Sequence, residues 1–287
     1  MKRLLLLSGK GGTGKTTTAA AFIRFAQARA FADCDVDAPN LHLLNAMPGE
    51  PQCKDFLGGE KAEIDQDLCT GCGLCMENCR FGAIEDAGDC YRVNEIRCEG
   101  CGVCSYVCPG QAICLKSDVA GKQELYLGNR VFSTARLKMG RGNSGKLVTD
   151  VKMDLLKHAP DCDLAIIDGS PGIGCPVIAS VSGMDLALVV TEPSESGLSD
   201  LKRLVKTAGT LQTKLAVCVN KWDLSPGHTA AIEDFCEEQG IPFIGKVPYD
   251  PAASEAVNAG KSLADVDCEA SRALRNIYEK TSELLGI

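Results

Sequence analysis

The chain has 287 residues, enough for one large α/β domain or for that domain with a small insert. A hydrophobic fraction of 45% supplies a core, and a formal charge of −8 excludes a general nucleic-acid binder, which needs a basic surface. Seventeen cysteines with no basic-then-apolar leader argue against a secreted disulfide framework and for metal ligation in a reducing cytoplasm.

Residues 3–8 are a short apolar run, predicted as a strand that ends in a glycine-rich turn. A Thr- and Ala-rich helix is expected from 15 to about 28, with Phe22, Ile23 and Phe25 placed to pack on a sheet. A second short strand is expected to end at Asp33. After about residue 44 the pattern breaks into Gly, Pro, charged residues and two cysteine arrays, lasting to about 116. Residues 120–150 are polar and Gly-rich, with an ambiguous strand at 124–132. From residue 151 strands are predicted at 163–168, 186–191, 214–220 and 242–247, with helices between them and a last helix at 268–285. Continuous apolar strands alternating with helices predict an α/β fold with a mainly parallel sheet and helices on both faces. The longest apolar runs, 4–7 and 186–190, are too short for a bilayer, so no stable membrane insertion is expected. The mixed charge of the last helix favours core packing over a membrane-surface role.

"SGKGGTGKTTT" follows the first strand and opens the first helix, and residues 9–16 satisfy G-x-x-x-x-G-K-[ST] in the context that motif requires. Gly11, Gly12 and Gly14 can turn successive N–H groups inward around an anion, with Thr13 and Thr17 completing the cradle. The helix N-terminus adds its positive dipole end. Lys15 is placed for the β- and γ-phosphates and the Thr16 hydroxyl for Mg²⁺, so Mg·ATP is the expected ligand. "DLAIIDGSPG" has the form of a Walker B strand with Asp168 at its tip.

Lys10 is a second lysine inside the loop, and K-G-G-T-G-K-T resembles the variant phosphate loop of the family containing MinD and the nitrogenase iron protein. The resemblance implies that Lys10 crosses a dimer interface to the partner's nucleotide, and that hydrolysis needs two ATP-bound protomers face to face. It also implies that Asp35 in "DCDVDAPN" positions the attacking water, with Asp33 and Asn40 in support, and that Asp168 binds Mg²⁺ through water. Asn220, Lys221 and Asp223 mimic the N-K-x-D guanine reader, but the resemblance makes Asn220 an adenine contact and favours ATP over GTP.

Cys69, Cys72, Cys75 and Cys79 make C-x₂-C-x₂-C-x₃-C, and Cys98, Cys101, Cys104 and Cys108 repeat it at a 29-residue offset, followed by Pro109. The doubled run resembles the bacterial ferredoxin signature, in which the fourth Cys of each run ligates the other cluster. That resemblance implies two [4Fe–4S] clusters, one on Cys69, Cys72, Cys75 and Cys108, the other on Cys98, Cys101, Cys104 and Cys79. Paired zinc knuckles are the alternative. Arg80 stands where the first run would have its Pro, which leaves ligation intact. The domains expected are an ATPase at 1–58 and 118–287 and an inserted α+β two-cluster ferredoxin unit at 59–117. Of the other cysteines (Cys34, Cys53, Cys90, Cys114, Cys162, Cys175, Cys218, Cys236 and Cys268) most are expected to be small buried hydrophobes. Cys175 lies seven residues after Asp168, as does a ligand of the bridging cluster in the nitrogenase iron protein. A buried turn thiol is the default there and a bridging third cluster the rival.

Together these features are similar to MinD-superfamily ATPases with an inserted ferredoxin domain. The resemblance implies a cytoplasmic ATPase, acting as a homodimer or as a heterodimer with a similar ATPase. ATP would be coupled to electron transfer towards a redox or metallocofactor-assembly partner. The alternatives are an iron–sulfur or metallocofactor assembly ATPase and a MinD-like regulatory or positioning switch.

Overall fold

The computed structural model describes every residue except 46, 48 and 160. The chain begins with β1 (Lys2–Leu7), α1 (Lys15–Phe25), β2 (Ala30–Asp33) and β3 (Gln52–Ile64). The cysteine-rich stretch holds α2 (Leu74–Glu77), β4 (Ile84–Asp86), β5 (Tyr91–Val93) and α3 (Val103–Val107), followed by β6 (Ile113–Tyr126) and β7 (Val131–Leu137). The α/β rhythm then runs through α4 (Ser144–His158), β8 (Leu164–Asp168), α5 (Cys175–Val181), β9 (Leu186–Thr191), α6 (Glu195–Thr210) and β10 (Lys214–Asn220). It closes with α7 (Pro226–Glu238), β11 (Phe243–Val247), α8 (Pro251–Asn258) and α9 (Glu269–Leu285).

Two compact units result: Met1–Lys54 with Gln123–Arg136 and Ser144–Ile287, and Asp55–Lys122 with Leu137–Asn143. In the first, the strand order is β11-β10-β9-β1-β8-β2-β7, and the pairs from β11 to β7 are all parallel. The expected mainly parallel sheet is present. β1 sits at its centre because Leu4, Leu5, Leu6 and Leu7 are wholly apolar and almost fully buried, as a strand covered on both faces must be. Phe31 on β2 stacks on Phe132 of β7 with ring centroids 5.0 Å apart, and Phe22 of α1 meets Tyr278 of α9 edge to face at 5.2 Å. α1 stops at Phe25, short of the expected 28, because Gln27 turns into the left-handed region at φ 48°.

The second unit keeps the internal repeat as geometry. Gly71 and Gly73 (φ 68° and 80°) recur as Gly100 and Gly102 (φ 63° and 78°), each pair leading into a short helix, α2 or α3. Its core is made of Ala62, Ile64, Ala83, Ile84 and Ile113 together with the buried Cys75 and Cys98. Arg141 ties residues 137–143 to this unit through Glu95 at 2.8 Å and Asp118 at 3.3 Å.

Two strands depart from expectation. β3 falls where the sequence was expected to break down. Phe56, Gly58, Ala62 and Ile64 are its buried positions, all on one face, but the exposed Glu60 on that face and the Gly58–Gly59 pair hide the alternation. The ambiguous strand at 124–132 is two strands rather than one, the end of β6 and the start of β7, with a turn at 127–130 between them. Of the nine cysteines outside the arrays, Cys34, Cys218, Cys236 and Cys268 are buried, Cys90 and Cys162 are half-buried, and Cys53, Cys114 and Cys175 are exposed. The expectation that most are buried is therefore corrected. So is the buried-turn reading of Cys175, which opens α5 in solvent.

Candidate functional site

The phosphate loop links β1 to α1. Gly12 and Gly14 take φ 82° and 92°, a backbone only glycine adopts cheaply and the kind from which anion-binding loops are built. Asn220, at the end of β10, donates from Nδ2 to the Thr13 carbonyl at 2.8 Å. A Cβ on Gly14 would lie 2.3 Å from that nitrogen, so the side chain pins the loop at close range. The Thr13 hydroxyl is buried with no hydrogen-bond partner, a donor held open inside the loop.

Asp168 at the tip of β8 has both oxygens committed: Lys15 Nζ donates to Oδ1 at 2.6 Å and Thr16 Oγ1 to Oδ2 at 2.6 Å. Lys15 is 5% exposed and Asp168 fully buried. Burial pulls the Lys15 ammonium down, and the charge and hydrogen bond of Asp168 more than offset it, leaving its pKa raised. Asp33 at the end of β2 accepts N–H bonds from Asp35 at 3.0 Å and from Asn40 and Leu41 at 2.9 Å, which fixes the following loop. Burial first, and then the charge of Asp168, push its carboxyl up to about 7. Asp35 is half-buried on that loop and is also raised, chiefly by burial. Asn40 is exposed, and its contribution here is its backbone N–H.

The two strand tips are tied together: Cys34 N donates to the Asp168 carbonyl at 2.8 Å, and Ser170 Oγ donates to the Cys34 carbonyl. Gly169 N bonds the Leu6 carbonyl at 2.9 Å, and a Cβ there would meet that oxygen at 2.8 Å, so only glycine lets this turn lie on β1. Lys10 ion-pairs with Glu192 and donates to Ser196 Oγ at 2.9 Å, both beside the start of α6. Glu192, Ser196 and Ser170 were missed from sequence. Ser194, which caps α6 by accepting from Gly197 N at 3.0 Å, is the signal that could have placed the first two near a helix start.

A cleft of ≈ 220 Å³ next to the loop is lined by Gly12, Thr17, Asn220, Pro248, Asp250 and Leu263, among others. Asp223, which would read guanine in an N-K-x-D motif, spends Oδ1 on the Tyr249 N–H at 2.7 Å.

In the second unit, one cavity is lined by Cys69, Cys72, Cys75 and Cys108. Another is lined by Cys98, Cys101, Cys104 and Cys79. Each array thus sends its fourth cysteine to the other's cavity. Ala83 N donates to Cys79 Sγ and Ala112 N to Cys108 Sγ, both at 3.3 Å, and Ala62 N donates to Cys98 Sγ at 3.5 Å. Hydrogen bonds of this kind fix the direction in which a ligating sulfur points. Burial, the largest cause, raises the thiols at the equivalent positions Cys75 and Cys104. Arg80 is exposed. Among the described residues no three His, Cys, Asp or Glu side chains converge on a single-ion site.

Residues 4–263 match the CobQ/CobB/MinD/ParA nucleotide-binding domain family. The chain belongs to that family. It is a P-loop ATPase-type protein of the MinD/ParA kind, a family whose members hydrolyse nucleotide. An uncharacterized protein of Methanocaldococcus jannaschii is 30% identical over 99% of this chain and 97% of its own. An iron–sulfur cluster carrier protein of Pyrococcus abyssi is 26% identical over 97% of this chain and 84% of its own. The cell division ATPase MinD of Pyrococcus furiosus shares the fold, with a TM-score of 0.59 at 19% identity over 99% of this chain and 100% of that one. Among the described residues no helix is long and apolar enough to cross a membrane.

Proposed function

We propose that the chain is an ATP-hydrolysing iron–sulfur protein. In this reading residues 59–117 form an inserted ferredoxin-type unit, and a nucleotide-gated dimer couples ATP to electron transfer through two [4Fe–4S] clusters. The observation that carries this reading is the exchange of Cys79 and Cys108 between two four-cysteine cavities, in a chain that also has a MinD-type phosphate loop. The donor sets fit: four thiols ring each cavity, N–H groups point at Cys79, Cys98 and Cys108, and glycines allow the tight turns between ligands. Bound there, two cubanes would supply one-electron redox steps at low potential.

In the nucleotide site, phosphate oxygens would replace the Asp168 carboxylate as acceptors for Lys15, while Mg²⁺ would engage Thr16 and Asp168. Asp35 would orient the attacking water. Lys10 would leave Glu192 and Ser196 to neutralise charge on the partner's transferred phosphate. Asn220 and the adjoining cleft would take adenine.

The Pyrococcus abyssi cluster carrier among the relatives favours a second reading, in which the clusters are cargo for a metallocofactor-assembly partner. Anaerobic purification and metal analysis test the shared part of both. About eight iron and eight acid-labile sulfide per chain are expected, with Cys79→Ser lowering iron content. Zinc in place of iron and sulfide would overturn it. Clusters that pass rapidly to an apo acceptor would favour the carrier reading over resident electron transfer.

A further inference from the structure

α1 carries the phosphate loop at its N-terminus, and its other end, about 16 Å along the axis, opens onto a separate cavity of ≈ 710 Å³. That volume lies in the range of small-molecule sites. Arg24, Arg29, Arg130 and Arg275 line it, and Asp265 is the one acidic lining residue. Four guanidinium groups against one carboxylate leave three positive charges, on a chain whose formal charge is −8.

Asp265 is already spent, since both its oxygens accept from Arg24 Nη2 at 2.8 and 2.9 Å. Arg29 donates to the Asp161 carbonyl at 3.0 Å. Among the described residues Arg130 and Arg275 pair with no carboxylate. Aromatic faces hold them instead: the Arg275 guanidinium sits 4.3 Å from the Phe25 ring centroid and that of Arg130 sits 5.1 Å from Phe31. Stacking orients a guanidinium while leaving its edge donors free, the geometry in which arginine binds oxyanions bidentately. Arg130 is less basic than an ordinary arginine, first because of burial and then because of the charge of Arg24.

We propose that this cavity binds a small multivalent oxyanion, a ligand carrying two or more phosphate or carboxylate groups. The site is independent of the reading of the cysteine unit.

The test is calorimetry on the full chain saturated with Mg·ADP, so that the phosphate loop does not compete. Inorganic pyrophosphate is the phosphate probe and tricarballylate the carboxylate probe. Saturable one-site binding of at least one probe is expected, weakened about tenfold in Arg130→Gln and in Arg275→Gln, with ADP affinity unchanged. The stronger probe identifies which oxyanion class the cavity takes. The thermal midpoint should rise with that probe in the wild type and much less in either variant. Absence of saturable binding by both probes, or equal binding in the variants, would overturn the proposal. So would displacement of the probe by short duplex DNA with affinity lost steeply in salt, which would assign the cluster to nucleic acid.

Discussion

At Asp168 both carboxylate oxygens are engaged, by the buried Lys15 and by the part-buried Thr16. A buried ion pair of this kind contributes little net stability, but it keeps the ammonium and the hydroxyl aimed where phosphate and Mg²⁺ would enter. Lys10 differs, because it is part-exposed and held by Glu192 and Ser196 at the surface. Substituting Lys10→Ala should therefore leave nucleotide affinity within a few-fold of wild type while lowering kcat about 10³-fold, the scale of a charge supplied in trans. Equilibrium binding and turnover on the same samples check it, and a variant that dimerises and hydrolyses normally refutes the assignment. Asp33 carries a pH signature. Its folded pKa of about 7 stands above its unfolded value of 3.8, so the folded state holds the proton longer. The stability it contributes is complete below about pH 4 and is lost as pH rises through about 7. Without nucleotide, the urea midpoint of wild type relative to Asp33→Asn should fall across that window. A difference independent of pH would show that Asp33 is ionised throughout. The loop glycines, Lys15, Thr16 and Asp168 were legible because the motif ties residue type to backbone geometry. Glu192 and Ser196 were not, since a contact across more than 180 residues leaves no local pattern.

Elements were legible where a strand is buried on both faces. β9 and β10 fall on the expected residues, and β8 and β11 begin one residue later than expected. β3 and β6 were obscured because they alternate exposed and buried residues and contain glycine. Nothing in the sequence announced the link between α4 and α5. Lys152 is 7% exposed, and its Nζ donates to the carbonyls of Ala179, Ser180 and Ser182 at 2.6, 2.9 and 2.6 Å, at the C-terminal end of α5. All three ammonium donors are used, and the charge faces the negative end of the helix. Lys152→Met keeps the apolar stem and strands the carbonyls, so it should lower unfolding free energy by about 2–3 kcal/mol. Chemical denaturation measures this, and a loss below about 0.5 kcal/mol would mean that water replaces the ammonium at little cost.

Across the whole chain, the resemblance to MinD-type ATPases predicted the parallel-sheet unit, because its phosphate loop, strand-tip carboxylates and apolar strands recur together. The cysteine unit was legible as a repeat, since the 29-residue offset that aligns Cys69 with Cys98 also aligns Gly71 with Gly100 and Ala83 with Ala112. Its compact boundaries, Asp55–Lys122 with Leu137–Asn143, are discontinuous in a way that no linear pattern marks. Arg141, Lys138 and Asn143 all tie the later segment there, Lys138 N to the Ala120 carbonyl at 2.8 Å and Asn143 Nδ2 to the Gly58 carbonyl, and the Arg141 partners Glu95 and Asp118 lie 46 and 23 residues back along the chain. Coupling between nucleotide and electrons requires that the two nucleotide states differ in their interaction with the redox centres or with the acceptor. Anaerobic redox titration of reconstituted protein, with and without Mg·ATP, measures that difference most directly. A displaced midpoint for at least one cluster is the predicted result. Identical midpoints, together with an acceptor affinity indifferent to nucleotide, would contradict it.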